Sequence, residues 1–337
     1  MNTRKRIAPL VLIILFLSAI TACGNGEAET AAAAGAAEAE TVPEVRQISI
    51  AGAGAAGTFY VMATGFADLI NQRMGINSVG EVTAGSVENA SLIHQREVEF
   101  GVMQLDVAQN ARSGVAQFDA PRDLVAVTPM YPNVVQVVTL RDSPIEQFSD
   151  LEGMRVSIGS PGSGILATNQ VILETLGLSM DAIRPQYLSF AETTTAFRDG
   201  SVDAVIVNTA APSPFLVDLE TTHPIKTIPL SDQEIRAFTD NYAYYVEAVI
   251  PAGAYRTIDQ DTPTFAVWIT LMTYPELPET VVYDVVKTIH ENQDFLRDVH
   301  VVSQYVDIAN VPSITGVPFH PGAARYYAEH GVNVPTE

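Results

Sequence analysis

Ile48-Ser49-Ile50-Ala51-Gly52-Ala53-Gly54-Ala55-Ala56-Gly57-Thr58-Phe59-Tyr60 is a short β-branched run that breaks into a glycine loop and then into an amphipathic segment. From Thr58 onward Phe59, Met62, Phe66, Leu69 and Ile70 recur at helical spacing, which predicts a helix opening at Thr58. The loop therefore presents unpaired backbone N–H groups and the positive end of a helix dipole. Such a place attracts a small anion, and glycine lets that anion approach the backbone closely. Gly52, Gly54 and Gly57 also spell the G-x-G-x-x-G of dinucleotide sites. That reading requires an acidic residue at the tip of the next strand. The next strand-like run, Val79 to Thr83, ends in Ala84-Gly85-Ser86, with Glu81 inside it, so the dinucleotide reading is set aside.

Outward from this stretch the pattern continues as β-α-β-α-β. The first helix is expected to end near Arg73 with Gly75 as its cap. Ser86 then caps a second helix, Glu99 to Gln104 reads as a buried strand, and Asp106 caps a third helix. This progression implies a parallel sheet. Leu124 to Thr139 is strand-like on both sides of Tyr131-Pro132-Asn133 and is expected to cross into a second lobe. There Arg155 to Ile158, the loop Gly159-Ser160-Pro161-Gly162-Ser163-Gly164 and an apolar helix to Leu176 repeat the strand, glycine loop and helix. The strand Val98 to Gln104 is echoed by Val202 to Asn208, each ending in a carboxamide. Ligands of open α/β sheets bind at the C-terminal strand ends, so Gln104 and Asn208 are expected to face one shared cleft. Ala210-Ala211-Pro212-Ser213-Pro214 lines the same edge. Phe265 to Thr273 is the strand crossing back, a helix runs from Pro278 to about His290, and His320 opens the last helix.

The 337 residues carry 39 acidic against 18 basic side chains, a formal charge of −21. Lysine occurs only at Lys5, Lys226 and Lys287, which leaves no basic patch for nucleic acid. Arg4, Lys5 and Arg6 precede a nearly unbroken apolar run, Ile7 to Ala22, shorter than the ~20 residues of a membrane span. Ile20-Thr21-Ala22-Cys23-Gly24 resembles a bacterial lipobox, and Cys23 is the sole cysteine. Residues 1–22 are therefore expected to be a lipoprotein signal peptide, with Cys23 lipidated and the chain held outside the cytoplasm on a membrane. The Ala-, Glu- and Thr-rich stretch to Pro43 is expected to be a flexible tether over 23–43. The expected lobes are 44–133 with 270–337, and 134–269.

Catalytic and metal motifs are absent as motifs. There is no G-x-S-x-G and no P-loop, and His94, His223, His290, His300, His320 and His330 are scattered, mostly in helices or loops where solvent-facing roles prevail. Glu88 and Asp106 read as capping carboxylates before they read as a pair. A Ser–His–Asp site assembled in space stays open at this point, as an exported hydrolase using Ser163 or Ser86. So does a lipoprotein acting through protein contacts alone.

The stretches AlaGlyThrPheTyr at 56–60, GlySerValGluAsn at 85–89, ValMetGlnLeuAsp at 102–106 and GlySerProGlySerGly at 159–164 recur in one family. So do TyrLeuSerPhe at 187–190, AspAla at 203–204, AlaAlaProSer at 210–213, IleProAlaGlyAlaTyr at 250–255 and HisProGlyAlaAlaArgTyrTyr at 320–327. In this order and spacing the chain resembles the TAXI family, the solute-binding components of tripartite ATP-independent periplasmic (TRAP) transporters, from about Ile48 to Gly331. The resemblance implies an α/β, two-lobed, type II-like periplasmic-binding-protein fold. It implies delivery of glutamate, glutamine or a dicarboxylate such as 2-oxoglutarate to an ion-driven permease, without catalysis, cofactor or metal. Ala56 stands where the family often has a second glycine and Ala211 where glycine is common, which narrows the cleft. The expected ligand contacts are backbone N–H groups at Gly57, Thr58, Ser163 and Gly164, and hydroxyls of Thr58, Ser86, Ser163 and Ser213. Gln104 and Asn208 read the ligand's polar ends, and Tyr60 or Phe190 covers its carbon chain. Asn89 and Pro212, within the matched stretches, complete the set.

Overall fold

A computed structural model describes residues 45–337; the expected signal segment 1–22, Cys23 and the tether 23–43 lie outside the described residues. Among the described residues no helix is long and apolar enough to cross a membrane.

The opening stretch folds as strand β1 (Gln47–Ala51), a turn, and helix α1 (Thr58–Met74), which stops at Gly75 in the left-handed region, φ 69°. There follow β2 (Asn77–Glu81), α2 (Ser86–His94), β3 (Phe100–Gln104) and α3 (Leu105–Ser113). β1 pairs parallel with both β2 and β3, as the β-α-β reading requires. The long strand β4 (Val125–Leu140) leads to β5 (Arg155–Ser157), α4 (Gly164–Thr175), β6 (Arg184–Gln186), α5 (Phe190–Arg198), β7 (Ala204–Thr209) and α6 (Pro214–Glu220). β5 pairs parallel with β6 and β7. Then come β8 (Ile225–Ile228), α7 (Asp232–Thr239), β9 (Tyr245–Ile250), β10 (Thr262–Thr273), α8 (Glu279–Glu291), α9 (Gln293–Val299) and α10 (Pro321–Glu329).

The strand order is β2-β1-β3-β10-β4-β7-β5-β6. Read from either end it repeats: β2-β1-β3 against β10, and β6-β5-β7 against β4. The two long strands exchange roles between the halves. β4 pairs with β10 over Val125 to Val134 and with β7 from Val134 to Thr139. β10 pairs with β9 over Thr262 to Val267 and with β3 over Ile269 to Met272. The expected α/β, two-lobed periplasmic-binding-protein fold is the architecture observed, each half a set of parallel strands against one long antiparallel strand, with β8 added antiparallel on β4 and β9 on β10.

β4 runs unbroken through Tyr131-Pro132-Asn133 rather than splitting there. Proline lacks the ladder donor, and the pairing absorbs this through register shifts beside Pro129, where Ile269 faces Tyr131 and Thr270 faces Pro129. Two capping expectations are corrected. Gly85, with φ 119°, is the N-cap of α2, so Ser86 lies inside the helix. Gln104 is the N-cap of α3, so Asp106 lies two residues too far along to cap it. His290 and His320 are also more enclosed than expected, packed between α8, α10 and β4 or at the start of α10.

Candidate functional site

The parallel strands β1, β3, β5 and β7 all end toward one cavity, because each β-α unit in both halves turns at the same sheet edge. The cavity is narrow, with about 40 Å³ open to the centres of water-sized molecules, and is lined by Ala53, Gly57, Thr58, Phe59, Ala84, Gly85, Gln104, Asn133, Ser163, Ile165, Phe190, Asn208 and Thr209. No Asp, Glu, Lys, Arg or His is among them. It shares Ala53, Ala84, Ser163, Ile165 and Phe190 with a wider groove that also includes Val82, Thr83, Ser160 and Leu188.

The polar lining is buried and incompletely bonded. Thr58, Gln104, Asn133 and Asn208 are each 2% exposed or less. Thr58 Oγ1, Asn133 Oδ1, and Asn208 Oδ1 and Nδ2 have no hydrogen-bond partner. Asn133 Nδ2 donates to Asn208 O at 3.3 Å, which fixes Oδ1 as its free end. Gln104 Nε2 donates to Thr168 Oγ1 at 3.1 Å, and Thr168 Oγ1 donates onward to Asp106 Oδ2 at 2.8 Å. This relay leaves Gln104 Oε1 on the side of Gly164, where a Cβ would stand 2.0 Å from it. Position 164 therefore admits only glycine without displacing the amide.

Helix starts supply the donors. α1 has no side-chain cap and no acidic residue in its first turn, so the N–H groups of Thr58 and Phe59 lack intrahelical partners beside the cavity. α4 begins at the opposite wall behind Ser163. Ser163 Oγ accepts from Leu166 N at 3.1 Å and donates to Ser160 O at 2.6 Å, so its hydroxyl is a cap and not a free ligand contact. Phe190 stacks on Phe215 with centroids 4.3 Å apart and presses on Gly57, where a Cβ would meet its ring at 2.9 Å.

The halves touch around the cavity. Glu88 N donates to Gly162 O at 3.2 Å. Asp106, in α3, receives Thr168 Oγ1 of α4 and Tyr245 Oη of β9, the latter at 3.2 Å. Burial raises the Asp106 carboxyl above its ordinary value, against the opposing pull of Thr168, Val107 and Tyr245, and burial likewise drives the Tyr245 phenol well up. Glu88 instead accepts from Ala84 N, so the two carboxylates have separate partners.

Of the residues expected at the site, Gly57, Thr58, Gln104, Ser163, Phe190 and Asn208 line the cavity, and Gly164 backs it. Five others are not among the lining residues. Tyr60 gives way to its neighbour Phe59, one helical step around α1. Ser86 Oγ is taken by Gln104 N at 3.1 Å. Asn89 spends its amide on Gly52 O and Val102 O, at 2.8 and 2.7 Å, and on Thr83 Oγ1, tying β1 to β3. Pro212 follows a cis peptide bond. Ser213 is fully buried against Thr209, and its N donates to Tyr255 Oη at 3.0 Å. Sequence reasoning missed Asn133 and Thr209, and the signal for the former was a carboxamide inside an apolar crossing strand. Among the described residues no group of His, Cys, Asp or Glu could hold a metal ion.

The chain is similar in fold to several solved structures. The alkanesulfonate-binding protein SsuA from Xanthomonas axonopodis pv. citri bound to MOPS is 17% identical, over 84% of this chain and 83% of that one, at a TM-score of 0.49. The periplasmic aliphatic sulphonate-binding protein SsuA from Escherichia coli is 18% identical, over 84% and 78%, at 0.47. The ligand-binding component of an ABC-type import system from Staphylococcus aureus is 12% identical, over 86% and 94%, at 0.48. A family model described as NMT1-like matches residues 50–331, most of the chain, and the protein belongs to that family.

Proposed function

We propose that this protein is an extracytoplasmic solute-binding protein that captures a small carboxylate in the cavity between its half-sheets and delivers it to a membrane permease. The observation that carries this reading is the set of buried, unpartnered polar atoms on Thr58, Asn133 and Asn208. Such atoms cost about 1–3 kcal/mol each when left unsatisfied, and a polar guest would satisfy them. The first turns of α1 and α4 would take the carboxylate, Gln104, Asn133 and Asn208 the remaining polar groups, and Phe190 the carbon chain. The switch of strand partners at Val134 and Ile269 favours lobes of 44–133 with 270–337, and 134–269. Opening and closing would then bend the two long strands.

The finer assignments rest on the TAXI resemblance. They are a TRAP-type, ion-driven permease as partner, a ligand such as glutamate, glutamine or 2-oxoglutarate, and a lipid anchor on Cys23. A hydrolase is disfavoured because the Ser163 hydroxyl is occupied as a helix cap, Ser86 is bonded to Gln104 N, and no histidine lines the cavity.

A thermal-shift screen of the purified protein against amino acids, monocarboxylates and dicarboxylates tests the reading. A cognate solute at a thousandfold over its Kd should add about 4 kcal/mol of stability. An unmoved melting point across the whole panel would sink it.

A further inference from the structure

The hydrogen-bonding sense of the cavity says more than that a guest binds. Carbonyl-type acceptors outnumber side-chain donors on its wall. Asn133 Oδ1 is an acceptor because Nδ2 is committed to Asn208 O. Gln104 Oε1 is an acceptor because Nε2 is committed to Thr168, whose own proton goes to Asp106. Asn208, with neither amide atom bonded, adds one acceptor and one donor whichever way it is turned. Thr58 supplies a single hydroxyl. A carboxylate only accepts, so it can satisfy the helix N–H groups but not these oxygens. No cationic side chain lines the cavity to receive a second carboxylate, whereas an ammonium group, with no anionic side chain there either, would meet the carbonyl oxygens of Gln104, Asn133 and Asn208.

Resting on the solute-binding reading, we propose that the cavity selects a small ligand with one carboxylate and at least two N–H or O–H donors, such as a neutral amino acid, and rejects dicarboxylates. The carboxylate sits at the helix starts, and an ammonium or amide group meets the oxygens of Gln104, Asn133 and Asn208. Within the range implied by family resemblance, this places glutamine above glutamate and 2-oxoglutarate.

Calorimetric titration of the full-length chain with glutamine, glutamate, 2-oxoglutarate and butyrate tests the proposal. Glutamine should bind about a hundredfold or more tighter than either dicarboxylate and than butyrate, which lacks donors. Asn133→Leu should weaken glutamine by about tenfold or more without weakening butyrate comparably, with Thr58→Val as a second variant should Asn133→Leu not fold. A dicarboxylate or butyrate that binds as tightly as glutamine overturns the selectivity while leaving solute binding intact. If none of the four binds, and no neutral amino acid does, both readings fall.

Discussion

Thr58, Asn133 and Asn208 bring four unpartnered buried polar atoms to one cavity, whereas those on Thr64, Tyr131, Asn169 and Ser303 lie apart from its lining. Elsewhere among the described residues buried amides bond to neighbours: Asn89 to four partners, the Asn169 nitrogen to Ile158 O and Ile206 O, and Gln136 Oε1 to Tyr255 Oη. Asn208 is the exception, with both amide atoms free. Replacing an unpartnered buried amide by an apolar group of similar shape removes a desolvation cost, here ~1–3 kcal/mol at most. Asn208→Leu should therefore hold or raise the melting point of the ligand-free protein while lowering solute affinity at least about tenfold. Calorimetry and melting on the same variant check this, and a marked loss of stability would mean that the amide serves the fold. Gln104 and Asn208 were legible in the sequence because each is a carboxamide closing a β-branched run. Ser86, Ser163 and Ser213 misled because a serine at a loop–helix junction looks the same whether it caps, bonds to backbone or greets a ligand. Only the partner atoms separate those roles, and partner identity is a property of the folded chain.

At the scale of elements, the strand, glycine loop and helix units were plain, since apolar periodicity switches abruptly at Gly57 and Gly164. The short β8 was not, because Ile225-Lys226-Thr227-Ile228 is too brief to show a period. α7 could have been found from its capping box, in which Ser231 and Glu234 bond each other's backbone N–H. Where helices pack on one another, His290 holds α8 to its surroundings through Thr128 Oγ1 at 3.0 Å and the rings of Tyr326 and Tyr327. Burial lowers its pKa from 6.5 to about 4. Since the folded value lies below the unfolded one, the unfolded chain takes up the proton first as pH falls. Stability is full above about pH 6.5 and declines toward pH 4, with a slope that approaches about 1 kcal/mol per pH unit. Chemical denaturation of the protein and of His290→Gln between pH 4 and 7 should show a shallower slope in the variant. Identical slopes would assign the acid sensitivity elsewhere.

For the whole molecule, charge and topology act together. The chain carries a formal charge of −21, while the cavity wall carries no ionised side chain. The long-range field repels anions, and salt shortens its reach from ~30 Å at 0.01 M to ~3 Å at 1 M. The association rate of glutamate should therefore rise with ionic strength, while that of glutamine, which has no net charge, stays nearly flat. Stopped-flow measurements over that range decide it, and a glutamate rate that falls with salt would contradict the steering argument.

The mirrored strand order has a consequence for how the chain reaches this shape. β3 is flanked by β1 on one side and by β10 on the other, yet β10 begins only at Thr262. As the chain folds, the inner edge of the first sheet stays unpaired until Thr262–Thr273, far along the chain, reaches it. Pairings this distant along the chain close slowly, and an open edge is a template for association. A chain of this design is thus most vulnerable before the strand that ends at Gln104 meets the one that ends at Thr273, the interval in which a chaperone would find its edge.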